Sequence, residues 1–215
     1  MSRNKYQFPM KVGVVLFEGF ELLDIFGPLE MFGMLPGQFN IHLVVEGSNP
    51  VASAQGPRSV IDDSFASAKQ YDILLVPGGP GARTEVNNPT ILDWLRHASQ
   101  ISTFVTSVCT GSALLAKSDV LDGRRATTNK YAFNWVTTQG EKVRWIYEAR
   151  WIEDGKFFTS SGVSAGMDMT LGLIERILGR ESSEQLVNCA EYEWHSDSSR
   201  DPFAVLNRPN AGTKI

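Results

Sequence analysis

The residue with the strongest claim to chemistry is Cys109, in the segment Ser107-Val108-Cys109-Thr110-Gly111-Ser112. The pattern is small-x-nucleophile-x-small between a strand-like and a helix-like run, the form of a nucleophile elbow. Such an elbow holds its central residue in a strained turn and points the side chain into a crevice. A thiol there also lies beside the first turn of a helix, whose positive end favours thiolate, so a lowered thiol pKa is predicted. The competing reading is a small buried hydrophobe, a common role for free cysteine. Cys189, in Leu186-Val187-Asn188-Cys189-Ala190, sits where the middle of a helix predicts packing.

Two further segments gain meaning beside a nucleophile. Pro77-Gly78-Gly79-Pro80-Gly81 follows an apolar run and lacks the Lys and Ser/Thr of a phosphate loop. The exposed backbone N–H groups of Gly78 and Gly79 are therefore predicted to form an oxyanion hole. Asp24 lies between Leu23 and Ile25, an apolar setting for a carboxylate. Near a thiol, a partly desolvated carboxylate would have a raised pKa and would pass protons. The alternative is an ordinary helix-start acid, and spacing does not choose between them.

A Cys–His hydrolase needs an imidazole within reach of its thiol. The chain has three histidines, His42, His97 and His195, and Thr110 rather than histidine follows Cys109. His42 alternates within a strand, His97 follows Arg96 on a solvated helix face, and His195 lies near the end of the last helix. The sequence gives poor support to that dyad. No cluster has metal-ligand spacing, so neither a metal nor another cofactor is expected.

The elements that must position these residues alternate between strand and helix. Met10–Phe17 is a valine-rich run of the kind found in parallel strands covered on both faces. A helix begins or bends at Pro28, which suits a first turn better than a helix interior. Strands are predicted over 39–46, 72–76 and 101–108, with a hairpin in 51–63 around Gln55-Gly56-Pro57-Arg58. A helix opens at Asn88-Pro89 and runs to about Ser99. Strands follow at 143–147 and 149–152, and a turn at Asp154-Gly155 leads into 156–160. A helix from Ser164 carries Met167, Leu171, Ile174 and Ile177 on one face and closes at Gly179. A last helix spans 181–193. The predicted organisation is an N-terminal arm (1–9), one α/β domain (10–195) and a polar tail (196–215). The predicted fold is a flavodoxin-like, doubly wound, mostly parallel sheet with helices on both faces. In such folds ligands gather beyond the carboxyl ends of the strands, where the loops carrying Asp24, Gly78 and Cys109 lie.

Composition sets the outer limits. A length of 215 residues supports one large domain with a sizeable core. A formal charge of -4 provides no basic footprint for nucleic acid or a membrane surface. No signal-peptide apolar stretch opens the chain, and no apolar run approaches the roughly 18 residues of a membrane span. Two cysteines, far apart, make no disulfide framework, so a reducing, cytoplasmic setting is expected.

These segments resemble the ThiJ/PfpI superfamily, which shares its fold with class I glutamine amidotransferases. The resemblance covers about Met10 to Phe203. It rests on Leu23-Asp24-Ile25-Phe26-Gly27-Pro28, Val76-Pro77-Gly78-Gly79, Ser107-Val108-Cys109-Thr110-Gly111-Ser112, Arg125-Ala126-Thr127-Thr128 and Ser164-Ala165-Gly166-Met167-Asp168. The combination of LDxxGP with SVCTGS looks most like the isonitrile hydratase branch and the amidase-like domain of AraC-type regulators. It implies that Cys109 attacks the terminal isocyanide carbon, that Asp24 handles protons, and that water releases an N-formamide. Thr110 and the Gly78–Gly79 backbone would then orient or stabilise the intermediate. Asn129-Lys130 replace the His-Trp that relatives often carry, and Glu191-Tyr192-Glu193-Trp194-His195 replaces a less aromatic segment. Both changes are expected at the pocket mouth, with Asn129 contacting substrate. The resemblance also implies a homodimer acting on a small molecule. Two alternatives remain. One is an amidase, or a deglycase or glyoxalase-like enzyme, whose branches tend to pair the thiol with histidine and a glutamate such as Glu18 or Glu21. The other is a redox sensor or ligand-binding domain using Cys109.

Overall fold

The computed structural model describes residues 6–67 and 69–205. The run MKVGVV forms β1 (Met10–Val15), buried at every position except Lys11, as a central parallel strand must be. Then follow α1 (Leu22–Gly33), β2 (Phe39–Val45), β3 (Val51–Ala52), β4 (Arg58–Ser59), β5 (Asp63–Ser64), β6 (Ile73–Val76), α2 (Ala82–Glu85) and α3 (Pro89–Ile101). The second half holds β7 (Phe104–Ser107), α4 (Gly111–Lys117), β8 (Arg125–Ala126), α5 (Phe133–Thr137), β9 (Arg144–Trp145), β10 (Trp151–Asp154), β11 (Phe157–Ser160), α6 (Ala165–Leu178) and α7 (Arg180–Cys189).

The main sheet has seven strands in the order β10-β11-β7-β6-β1-β2-β5. Every neighbouring pair is parallel except β10 with β11. Helices α1, α6 and α7 pack together, while α4 packs with α2 and α3. This is the expected doubly wound architecture. From β1 the chain crosses to β2 on one side, then returns to β6 on the other. The strand order therefore reverses between β1 and β6, and a crevice opens beyond their carboxyl ends. Asp24 follows β1, Gly78 follows β6, and Cys109 follows β7 one strand further on.

Several boundaries differ from the sequence reading. Helix α1 starts at Leu22 and contains Pro28, so of the two expectations for that residue a helix start does not hold. An internal proline forfeits one backbone bond and costs about 3 kcal/mol. Burial of Ile25, Met31 and Phe32 on the same helix offsets this, each side chain contributing about 1.5–3 kcal/mol. The β10–β11 loop residues are Gly155 and Lys156, between paired Asp154 and Phe157, one position later than predicted. Ile101 belongs to α3 rather than to the following strand. Helix α7 ends at Cys189, and Glu191 takes a left-handed φ of 49° that turns the chain away. Cys189 is exposed there, so the predicted packing role does not hold. Residues 196–205, expected as part of a polar tail, are built into the fold. Arg150 donates its backbone N–H to Ser198 O, Asp201 donates to Glu148 O, and Asp201 and Ala204 are buried. Residues 1–5 of the predicted arm and 206–215 of the predicted tail lie outside the described residues. Among the described residues no helix is long and apolar enough to cross a membrane.

Candidate active site

Cys109 adopts φ 55°, a left-handed conformation uncommon for a residue with a Cβ. Such strain persists only where neighbours over-determine it. The Cys109 N–H donates to Ser161 O at 3.2 Å, and its carbonyl accepts the Thr128 hydroxyl at 2.8 Å and the Ser112 hydroxyl at 3.2 Å. The elbow inferred from small flanking residues is therefore present, with α4 starting two residues later.

Asp24 lies in the first turn of α1 and is fully buried. Its Oδ2 accepts the Gly78 N–H at 2.8 Å, while its buried Oδ1 has no hydrogen-bond partner among the described residues. The carboxyl and the Cys109 thiol influence each other directly. Burial pushes Asp24 well above the usual carboxylate range, opposed by the Gly78 amide and by the thiol. Burial also pushes the Cys109 thiol well above its ordinary value, and the Asp24 charge adds to this. The Thr110 amide and hydroxyl pull the thiol the other way without prevailing. The predicted thiolate is thus overturned. One short helix end does not offset desolvation plus a facing carboxylate, so the thiol is pushed up rather than down.

The open oxyanion hole predicted for Gly78 and Gly79 is also not found. Gly78 N–H is held by Asp24, and Gly79 N–H donates to the Thr110 hydroxyl at 3.0 Å. A Cβ on Gly78 would collide with the backbone nitrogen and hydroxyl of Thr110, so glycine is what lets the two loops touch. These amides anchor the carboxylate and the elbow instead.

A pocket of about 310 Å³ is lined among others by Leu23, Asn129, Tyr131, Gly162 and Phe203, and its Gly162 stands next to the buried Cys109. A Cβ built on Gly162 would collide with the Asn129 amide and sit 3.2 Å from Cys109 Sγ. Asn129 and the nucleophile therefore border the same glycine. The Asn129 Oδ1 accepts the Ala132 N–H at 2.9 Å, which fixes the side chain at the pocket wall.

The three histidines and the Trp194 segment lie elsewhere. His42 Nδ1 stands 3.1 Å from Asp63 Oδ2 at the β2–β5 edge, and His97 is exposed on α3. His195 donates its backbone N–H to Asp168 Oδ1 at 3.0 Å, and Trp194 Nε1 donates to Asp168 O at 3.1 Å. That aromatic segment closes over Asp168 instead of lining the pocket. Glu18 accepts the Ala52 N–H; Glu21 accepts from Gln55, and its charge reaches the site, raising the pKa of both Asp24 and Cys109.

Sequence reasoning missed a buried charge chain behind the pocket. Lys130 Nζ donates to Ala149 O at 2.7 Å and Thr127 Oγ1 at 2.9 Å and stands 3.5 Å from Asp201 Oδ2. Burial pulls its pKa down to about 8, with Asp201 opposing. Arg150 pairs with Asp168 through Nη2 at 2.6 Å and with Asp201 through Nη1 at 3.7 Å. The available signal was the lysine directly after Thr127-Thr128-Asn129. Its distant partner, Asp201, carried no local pattern.

Comparison with known proteins shows what the whole chain is similar to. The chain is 31% identical over 183 residues to an isonitrile hydratase of Pseudomonas putida, covering 85% of this chain and 78% of that protein. It is 28% identical to the HTH-type transcriptional regulator GbdR of Pseudomonas aeruginosa, covering 86% of this chain and 51% of the regulator. A ThiJ/PfpI family protein from Pseudomonas syringae superposes with a TM-score of 0.81 at 25% identity, covering 99% of this chain and 83% of that one. Its relatives thus include both an enzyme and a regulator. The DJ-1/PfpI family model matches residues 10–176, and the chain belongs to that family.

Proposed function

We propose that this protein is a cysteine-dependent hydratase that adds water to an isonitrile and releases an N-substituted formamide. The observation that carries the reading is the pairing of a buried thiol with a buried carboxylate, Asp24, and with no histidine. The sulfur of Cys109 bonds to the terminal isocyanide carbon as Asp24 accepts the thiol proton. Asp24 delivers that proton to the same carbon, giving a thioimidate, Cys–S–CH=N–R. Water then adds to this carbon, the nitrogen takes a proton, and the C–S bond breaks to return the thiol and HC(=O)–NH–R. Asp24 acts as acid and base in turn, for which a raised carboxylate pKa is suited. Thr110 orients the elbow, the Gly78 amide holds Asp24, and Asn129 offers a polar group to the imidate nitrogen. No cofactor enters these steps. The working form is a homodimer, in the cytoplasm.

A glyoxalase-like or amidase reading is less well supported. Glu18 is engaged by the Ala52 amide, and no imidazole accompanies the thiol. A redox-sensing role for Cys109 predicts modification without turnover. Incubation of purified protein with cyclohexyl isonitrile in ¹⁸O-water distinguishes them. Labelled N-cyclohexylformamide, absent with Cys109→Ser, supports the hydratase, whereas oxidised Cys109 without formamide supports the sensor.

A further inference from the structure

The pocket that Gly162 shares with the surroundings of Cys109 carries exposed apolar side chains. Gly162 stands next to the sulfur and against the Asn129 amide, while Leu23, Tyr131 and Phe203 line the pocket and remain 41%, 90% and 49% exposed. Three large exposed apolar side chains around one cavity next to a nucleophile call for a ligand with a reactive end and an apolar body.

Phe203 belongs to none of the strands or helices and reaches the rim through a buried anchor. Two residues earlier, Asp201 is buried between Lys130 and Arg150. Its Oδ1 also accepts the Phe203 N–H at 3.0 Å, its own N–H donates to Glu148 O at 2.7 Å, and its carbonyl accepts the Ala204 N–H at 3.1 Å. Lys130 directly follows the pocket residue Asn129, and Arg150 continues the chain of charge to Asp168 on α6. Buried ion pairs contribute little net stability but fix geometry, since removing one partner leaves a buried charge unpaired. Here the geometry fixed is that of residues 201–205 against the pocket mouth.

We propose that residues 201–205 form a latched wall of the substrate pocket, with Asp201 as the latch and Phe203 as a specificity-determining residue. The wall selects substrates whose body is a bulky apolar group. Within the hydratase reading, on which the substrate class rests, this means alkyl or aryl isonitriles rather than small polar ones.

The wall can be tested apart from turnover. In a Cys189→Ser background, Cys109 is alkylated by iodoacetamide and by its N-benzyl analogue, and the ratio of rate constants is compared. The benzyl reagent is expected to be favoured about tenfold, the scale of one apolar group in a fitted pocket. Phe203→Ala should bring the ratio close to one. Asp201→Asn, which removes the latch charge without altering the rim, should bring it down as well. An unchanged ratio in Phe203→Ala overturns the wall. So does an unchanged ratio accompanied by dissociation of the dimer, which would make Phe203 an interface residue. If the ratio responds but no isonitrile is hydrated, the wall stands and the hydratase reading fails. If isonitriles are hydrated with the same KM for cyclohexyl isonitrile in wild type and Phe203→Ala, the reverse holds.

Discussion

The carboxylate of Asp24 is anchored by one oxygen to the Gly78 N–H at 2.8 Å, while its other oxygen is buried with no N–H or O–H partner among the described residues, and the Cys109 thiol acts on the same carboxyl. An unpartnered buried carboxylate oxygen is expensive for a fold to keep. Its cost makes sense as function, because a carboxyl satisfied on every side would have nothing to exchange with a thiol.

That cost has a pH signature. The folded-state pKa of Asp24 is raised, so the folded protein binds more protons than the unfolded chain between the ordinary carboxylate value and the raised one. Stability from this group is complete below the ordinary value and is lost as pH rises through the folded one. Asp24→Asn keeps an acceptor for Gly78 and removes the charge. It should unfold at a higher temperature than wild type at pH 7, with the difference fading toward pH 3–4. Thermal scans across that range check this, and a lower melting temperature at pH 7 would contradict the assignment of a costly buried charge.

Lys130 titrates with the opposite arithmetic. Its folded pKa is pulled down to about 8, so above that value the unfolded chain holds the extra proton. Its burial cost is therefore relieved as pH rises from about 8, and wild-type stability should gain relative to Lys130→Met between about pH 8 and 10. Comparing the two proteins by denaturant unfolding removes the contributions of Cys109, Tyr71 and Tyr192, which are raised and act in the other direction.

Gly162 should be intolerant of even one added carbon. The Cβ of Gly162→Ala meets the Asn129 amide and lies 3.2 Å from Cys109 Sγ. The fold should persist, because the Asn129 amide is a side-chain terminus that can shift at the expense of its bond to the Ala132 N–H. KM for an isonitrile should rise about tenfold or more, on the scale of one methylene misplaced in a substrate pocket. Steady-state kinetics beside a circular-dichroism spectrum would reveal this.

A homodimer is expected in solution. Light scattering at micromolar concentrations should return twice the chain mass of 23.8 kDa, and a monomer throughout would refute it.

Much of this site was legible in the sequence because its parts are local. Small residues around Cys109 announced the elbow, and Gly78-Gly79 after an apolar run announced a strand-end loop. The resemblance then brought Asp24 to the thiol. What was not legible depends on through-space sums. The thiol pKa follows from burial plus the Asp24 charge, neither visible at Cys109 itself. The engagement of the Gly78 and Gly79 amides depends on residues 54 and 31 positions away in sequence. Asp201 and Phe203 sit in a polar stretch whose order comes from Lys130 and Arg150, far upstream. Pro28 misled because local propensity was outweighed by the apolar face of α1.

The most direct test is Asp24→Asn assayed two ways on the same preparation, for formamide production from cyclohexyl isonitrile and for the pH dependence of Cys109 alkylation. Removing the facing charge should move the alkylation profile to lower pH, because that charge holds the thiol proton in place. Removing a positioned acid and base should at the same time lower turnover by about a hundredfold or more. A more acidic thiol with lost turnover is the result predicted for a Cys109–Asp24 pair that carries the reaction. Turnover equal to wild type, or an unmoved alkylation profile, would contradict it.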